Sequence, residues 1–373
     1  MKYLNDITKP IMFMKEALLL ASKAKEKTYP NPMVGAVIVR RGKIIGKGYH
    51  KKAGRDHAEV VAIKSVRNKK LLKGATMFVT LEPCSHFGKT PPCTKAIVEA
   101  GIKELFIAIK DPNPLVRGRG IEFIKRNSIK VHTGFLSEEA TCLNRKYIRR
   151  ITTGLPYITI KLAQSLDGKI AARDGSSKWI SSEASRKYVK KIRSEFNGVL
   201  VGRNTIEKDD PFLLDENKKG HDTIRIVVDT KLKMSLKSNL IKTLDKAPII
   251  IGTTFLADKN KLKILGNLNN LTVVQSPIKA GKVSLKSFLK KLAKMGITSI
   301  LVEGGGELVG NLIDENLVNE VIFFISPQIL GGDMVSVKGK GVKNIKNAIK
   351  LKNKKITSMG EDILIKGEIC SQG

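Results

Sequence analysis

His57, Cys84 and Cys93 stand at the joints of a strand–helix alternation, and Glu59 follows the histidine by two residues. No other feature restricts the fold as much, because three segments must bring these side chains to one point. One imidazole and two thiolates supply three of the four ligands zinc commonly takes, leaving a position for water. Apolar spacing at Val60, Val61, Ile63 and Val66 predicts a helix over 57–66 that begins at His57. Residues 75–80 read as a strand leading to Cys84. Residues 94–100 read as a short helix opened by Cys93 after Pro91 and Pro92 and stopped by Gly101. A helix N-terminus favours a thiolate through its partial positive charge. The plain alternative is a surface histidine with two small buried thiols.

The remaining pattern predicts α/β domains. A helix is expected over 11–26, and strands over 34–40 and 43–49 form a hairpin around Arg41-Gly42. A strand follows at 104–109. A helix follows at 137–150, with Ser137 before Glu138 and Glu139 as a capping signal. The periodicity breaks over 149–156, which sets domains of 1–150 and 151–373. The second half reads as strands at 157–162, 198–201, 224–228, 247–251, 271–274, 299–302 and 320–325, with helices at 183–196 and 284–295. Such alternation implies a mostly parallel sheet there.

A chain of 373 residues suits two domains. Its 42% hydrophobic content and mean hydropathy of −0.11 exclude a largely disordered chain. Four cysteines are too few for a disulfide scaffold. No apolar run reaches the ~18–20 residues of a membrane span; residues 11–24 are interrupted by Lys15, Glu16 and Lys23 and lack a cleavage pattern. A cytoplasmic protein without a membrane partner is expected. The net charge of +34 admits two readings. One is a nucleic-acid or anionic partner. The other is a lysine-rich composition with solvated helix backs. Both halves are basic and neither carries a basic tail, which favours the second reading and remains compatible with a small phosphorylated substrate.

The H-x-E…P-C spacing is the signature of zinc deaminases, in which the glutamate is general acid/base rather than ligand. Residues 1–150 resemble the cytidine-deaminase-like superfamily. Cys84 and Cys93 are separated by eight residues, and the string Cys84-Ser85-His86-Phe87-Gly88-Lys89-Thr90-Pro91-Pro92-Cys93 resembles the bifunctional riboflavin-biosynthesis deaminase/reductase family. Further matches are residues 30–35, Gly48-Tyr49-His50, Asp111-Pro112-Asn113-Pro114 and Gly118-Arg119-Gly120. The resemblance implies zinc on His57, Cys84 and Cys93, with Glu59 catalytic. It implies that Asn31 contacts the pyrimidine ring and Lys89 the substrate phosphate. His50 and His86 are candidates to line the pocket.

After residue 156, strings such as 161–169, 176–181, 201–205, Asp209-Asp210-Pro211, 224–229 and 302–308 resemble the same family's reductase domain, which is similar in fold to dihydrofolate reductase. Gly304-Gly305-Gly306 follows a strand and opens a helix, as suits a cofactor phosphate. The resemblance implies NADPH contacts at Ala163, Trp179, Thr205, Asp209, Gly305, Gly306, Glu307, Leu308, Val309, Gly310 and Asn311. It implies substrate contacts at Lys161, Ser177, Arg193, Leu213 and Glu303. The family pattern D-D-P-x-L-x-x-R places a phosphate-contacting arginine where this chain has Glu216; either Lys218, Lys219 or a shifted backbone compensates, or the reductase binds its substrate weakly.

The expected protein is an α/β enzyme with an N-terminal cytidine-deaminase-like α/β/α domain and a C-terminal dihydrofolate-reductase-like α/β domain. The resemblance implies deamination of 2,5-diamino-6-(5-phosphoribosylamino)pyrimidin-4-one and NADPH reduction of the ribosyl side chain to ribityl. Its partners would be this small phosphorylated pyrimidine and further copies of itself, with no nucleic acid. The rival readings are a deaminase with an impaired reductase half, a tRNA adenosine deaminase, and a nucleic-acid-binding protein with a structural zinc.

Overall fold

The computed structural model describes residues 2–24, 28–88, 90–215 and 223–369. Lys89, Glu216, Lys218 and Lys219 therefore lie outside the described residues. The chain divides into two compact units, Met1–Thr153 and Gly154–Gly373.

Among the described residues, the first unit holds five strands: β1 (Gly35–Arg40), β2 (Lys43–Tyr49), β3 (Thr76–Leu81), β4 (Glu104–Ile109) and β5 (Lys130–Thr133). Their order in the sheet is β2-β1-β3-β4-β5. β1 pairs antiparallel with β2 and β3, and β3, β4 and β5 run parallel. Arg41 and Gly42 both have positive φ, the geometry of a two-residue hairpin turn whose twist suits the flanking strands. Period-2 alternation builds two cores on the two faces of this sheet. Ala36, Ile38, Met77, Val79, Leu105 and Ile107 face one. Val37, Val39, Phe78, Phe106 and Ala108 face the other, with Phe13, Met14 and Ala17 of the Lys2–Ser22 helix. The Ala58–Ser65 helix lies directly on β2: a Cβ at Gly48 would sit 2.4 Å from the Ala62 nitrogen, so only glycine permits this approach.

The second unit carries β6 (Tyr157–Ser165), β7 (Gly198–Gly202), β8 (Ile224–Val228), β9 (Ile249–Thr253), β10 (Leu271–Gln275), β11 (Ile278–Lys279), β12 (Lys282–Val283), β13 (Ser299–Val302), β14 (Glu320–Ser326), β15 (Leu351–Met359) and β16 (Asp362–Ile369). Nine of them form one sheet in the order β10-β9-β8-β7-β13-β6-β14-β16-β15, and β11 pairs with β12. From β10 through β14 the sheet is parallel; β16 and β15 close it antiparallel. Ile158, Ile160, Leu200, Ile226 and Ile300 face one core, and Val199, Val201, Val227, Ile251 and Leu301 the other. Both units are mixed α/β, as the patterning predicts.

Several local expectations are corrected. The helix expected over 137–150 is two, Ser137–Leu143 and Arg145–Thr153. Ser137 does not cap the first; Leu136, in left-handed conformation, occupies that position without a side-chain bond. The second runs through the expected break, because Thr152 and Thr153 bond back to the Ile148 and Arg149 carbonyls, and Gly154 at positive φ follows. The β15–β16 hairpin is absent from the sequence reading. The lysine-rich β15 is exposed over most of its length and so lacks apolar alternation. No helix among the described residues is long and apolar enough to cross a membrane.

Candidate functional site

In the first unit, His57 is the residue before the Ala58–Ser65 helix, Cys84 lies just past the end of β3, and Cys93 opens the Cys93–Glu99 helix after Pro92. These three joints meet. His57 Nδ1 is 3.2 Å from Cys93 Sγ and 3.6 Å from Cys84 Sγ, and the three donor atoms lie within 4.8 Å of one another. The Cys93 backbone N–H donates to Cys84 Sγ at 3.4 Å. A side-chain hydrogen bond from the Cys93 thiol lowers the Cys84 thiol to about 4, against its burial and with help from His57 and the Cys93 backbone N–H. The same bond and burial push Cys93 up. His57 is raised chiefly by its bond to Cys84. One imidazole and two sulfurs at this spacing are the donor set zinc takes, so the residues fit the ion with a coordination position left over.

Glu59 lies in the first turn of the same helix and is buried, which pushes its carboxyl up to about 7. It shares a cavity of about 290 Å³ with His57, Cys84, Asn31, His50 and His86. His50 is buried and its ring meets His57 edge-on, with centroids 5.1 Å apart. Its Nδ1 is 3.1 Å from the Asp56 carbonyl and its Nε2 is 3.2 Å from Asn31 Nδ2. Burial lowers its pKa. A neutral ring donating from Nδ1 must accept at Nε2. This orients the Asn31 amide with its N–H₂ on His50 and leaves Oδ1 for a ligand.

Sequence reasoning gives no role to four further groups here. Glu82, buried between β3 and Cys84, accepts four backbone N–H groups: Asp111 and Gly118 on Oε2, Gly120 and Ile121 on Oε1, at 3.1–3.3 Å. It thereby holds the Asp111–Ile121 segment, whose Asp111, Asn113 and Val116 line the cavity. Asp111 accepts from the Tyr147 hydroxyl at 2.9 Å. Tyr147 and Arg150, on the Arg145–Thr153 helix, also line the cavity. Glu82 carries a legible signal, since it adjoins Pro83-Cys84. Tyr147 and Arg150 carry none, because polar residues on an amphipathic helix look alike in sequence.

In the second unit, a cavity of about 850 Å³ is lined by Lys161, Ala163, Ser177, Trp179, Arg193, Thr205, Asp209, Leu213, Glu303 and Gly305, among others. Arg193 forms a two-pronged ion pair with Glu303, Nε to Oε1 at 2.6 Å and Nη2 to Oε2 at 2.9 Å. Burial pushes the Glu303 carboxyl up, but Arg193 with its hydrogen bonds, and Lys161, outweigh it and leave it below its ordinary value. Burial lowers Lys161 against the attraction of Glu303. Ser177 Oγ donates to Asp209 at 3.5 Å. Trp179 is 67% exposed with the Arg186 guanidinium 4.4 Å from its ring centroid, so it is not a core aromatic.

An adjoining cavity of about 670 Å³ is lined by Thr205, Gly305, Glu307, Leu308 and Asn311 together with Arg203, Lys231 and Lys233. Gly305 faces both spaces, and a Cβ there would meet no atom within 4 Å and would project into open cavity. The Gly306–Asp314 helix starts just after it, with its first amides free for a phosphate. These residues fit a dinucleotide. Three of the expected contacts do not line either cavity. Val309 is buried in the apolar core. Gly306 and Gly310 pack against the 335–339 segment, where a Cβ on Gly310 would lie 1.7 Å from the Lys338 oxygen. Their positions within a helix explain this, since successive residues turn away from the cofactor face.

Fold and first site together define the class: a zinc-deaminase domain followed by a second α/β domain. Residues 8–109 match the cytidine and deoxycytidylate deaminase zinc-binding region, and residues 156–365 match the RibD C-terminal domain. The chain is 44% identical over 358 residues to the riboflavin biosynthesis protein RibD of Aquifex aeolicus, covering 95% of this chain and 96% of that one. It is 36% identical over 369 residues to RibD of Escherichia coli, covering 95% and 97%. A solved structure of a diaminohydroxyphosphoribosylaminopyrimidine deaminase/5-amino-6-(5-phosphoribosylamino)uracil reductase from Thermotoga maritima superposes with a TM-score of 0.84 at 35% identity, covering 98% of this chain and all of that one. The chain belongs to the RibD family.

Proposed function

We propose that this chain is a bifunctional enzyme of riboflavin biosynthesis. Its first unit hydrolytically deaminates 2,5-diamino-6-(5-phosphoribosylamino)pyrimidin-4-one. Its second unit reduces the ribosyl side chain of the product to ribityl with NADPH. The observation that carries the reading is the convergence of His57, Cys84 and Cys93 beside a buried Glu59 in one cavity.

Zinc on these three residues would supply a water that is nucleophilic at neutral pH. Glu59 takes a proton at its carboxyl and returns it to the departing amine; burial, which holds it near 7, suits a group that must do both. The Asn31 Oδ1, freed by the His50 contact, orients the pyrimidine ring. Lys89 is assigned to the substrate phosphate from the family resemblance.

NADPH supplies the hydride of the second reaction. Ala163, Trp179, Thr205, Asp209, Gly305, Glu307, Leu308 and Asn311 would hold it, and Gly305 leaves room for its phosphates. Glu303 fixes Arg193, so the guanidinium meets the substrate with its remaining donors rather than as an open fork. Lys161, held near Glu303 with a lowered pKa, can relay a proton at the sugar. Ser177 and Leu213 complete the substrate wall. We place the enzyme in the cytoplasm as a homo-oligomer acting on a small phosphorylated pyrimidine rather than on nucleic acid.

The test supplies purified protein with the diaminopyrimidinone ribotide and follows ammonia release and NADPH oxidation together. Both signals support the proposal. Glu59→Ala should abolish the first and leave NADPH oxidation intact when deaminated substrate is supplied. Ammonia without NADPH oxidation would reduce the proposal to its deaminase half. No ammonia from zinc-loaded protein would refute the deaminase assignment.

A further inference from the structure

Among the described residues, Arg150 in the wall of the deaminase cavity has no anionic partner. It sits in the last turn of the Arg145–Thr153 helix and faces the same space as His57, Glu59 and Asn31. Among the described lining residues no other side chain carries a permanent positive charge. Its Nε is buried without a hydrogen-bond partner, and its Nη2 reaches only the Pro30 carbonyl, at 3.5 Å. The carboxylates of the wall are engaged elsewhere: Glu82 by four amides, Asp111 by Tyr147 and the Asn113 amide, and Glu59 beside the cysteines. Tyr29, close enough for the Arg150 charge to lower its pKa against the larger effect of burial, has a second buried polar atom without a partner.

A partly desolvated guanidinium with open donors costs free energy until an anion fills the site. Its planar fork matches a phosphate better than an ammonium does. We propose that Arg150 is a further contact for the phosphate of the substrate's ribosylamino arm, beside the Lys89 that the family resemblance assigns to it, and so selects phosphorylated over dephosphorylated pyrimidines. The inference rests on the deaminase reading of this cavity. With the ring at the metal triad, the arm must run along the cavity, and Arg150 is the described cation that awaits it.

The experiment compares full-length wild type, Arg150→Met and Arg150→Lys by ammonia release from the ribotide and from its dephosphorylated riboside. Zinc content and NADPH oxidation on deaminated substrate report that each variant is folded. Wild type should prefer the ribotide. Arg150→Met should lose about 10²-fold in kcat/KM on the ribotide, mostly through KM, as expected for a lost charge-assisted contact, and should keep its activity on the riboside. Arg150→Lys should recover part of the preference. Equal losses on both substrates, or no loss on either, would overturn the assignment. Wild type inert on both would overturn the deaminase reading and this inference with it.

Discussion

Replacing Glu82 with glutamine should loosen one wall of the deaminase cavity without touching the metal ligands. The carboxylate accepts two amides on each oxygen. Glutamine keeps one oxygen and turns an N–H₂ group toward the other two amides, leaving two backbone donors facing a donor. Each buried donor so stranded costs roughly 1–3 kcal/mol. The bond from Gly118 is only part-buried, so water recovers some of its share. The expected net loss is about 3 kcal/mol for the local structure of the Asp111–Ile121 segment, or roughly 10² in its opening equilibrium. Amide hydrogen exchange on the full-length protein reads this directly. The amides of Asp111, Gly118, Gly120 and Ile121 should exchange about 10²-fold faster, while amides of β7 and β13 stay at wild-type rates. KM for deamination should rise, because Asp111 and Asn113 lose their fixed places in the wall. Wild-type exchange at those four amides would refute the reasoning, since it would mean that the carboxylate does not hold the segment.

Three shorter predictions concern the two sites. Glu59→Gln, which keeps shape and removes the proton acceptor, should lower deamination at least ~10³-fold while bound zinc, measured by metal analysis, stays at the wild-type level. Removing zinc with a chelator should abolish ammonia release from the ribotide and leave NADPH oxidation on supplied deaminated substrate unchanged; loss of both would contradict separate sites. Breaking the Arg193–Glu303 pair with Glu303→Gln strands a largely buried guanidinium at a cost of about 3–5 kcal/mol. The Glu303 carboxyl titrates below its ordinary 4.5, so the unfolded chain binds the extra proton between the two values. The pair's stabilisation is therefore complete above 4.5 and is lost as pH falls through the folded value. Thermal unfolding should show the variant's deficit constant from pH 5 to 8 and shrinking in acid. A deficit that grows in acid would exclude this origin.

Both sites are built at the carboxyl ends of parallel strands, as open α/β sheets place them, and this decides which functional residues the sequence could reveal. β3 ends at Leu81 and is followed by Glu82 and Cys84; β4 ends at Ile109 and is followed by Asp111. In the second unit β13 leads into Glu303 and Gly305, and β7 into Arg203 and Thr205. A strand end is where apolar alternation stops and polar residues begin, so the metal and cofactor candidates stand out against a regular pattern. The His57 and Cys93 positions are legible for the complementary reason, since each stands where a helix begins. Groups that reach a site from the side of a helix lack this contrast. Tyr147 and Arg150 belong to a helix whose basic and apolar residues alternate as on any amphipathic surface, and only the fold tells which arginine faces the cavity. The same ambiguity works in reverse at Val309 and Gly310, which lie inside a cofactor-like string yet turn into the core and the neighbouring backbone. A contiguous motif marks the element that meets a ligand; the 3.6-residue period then decides which of its residues do.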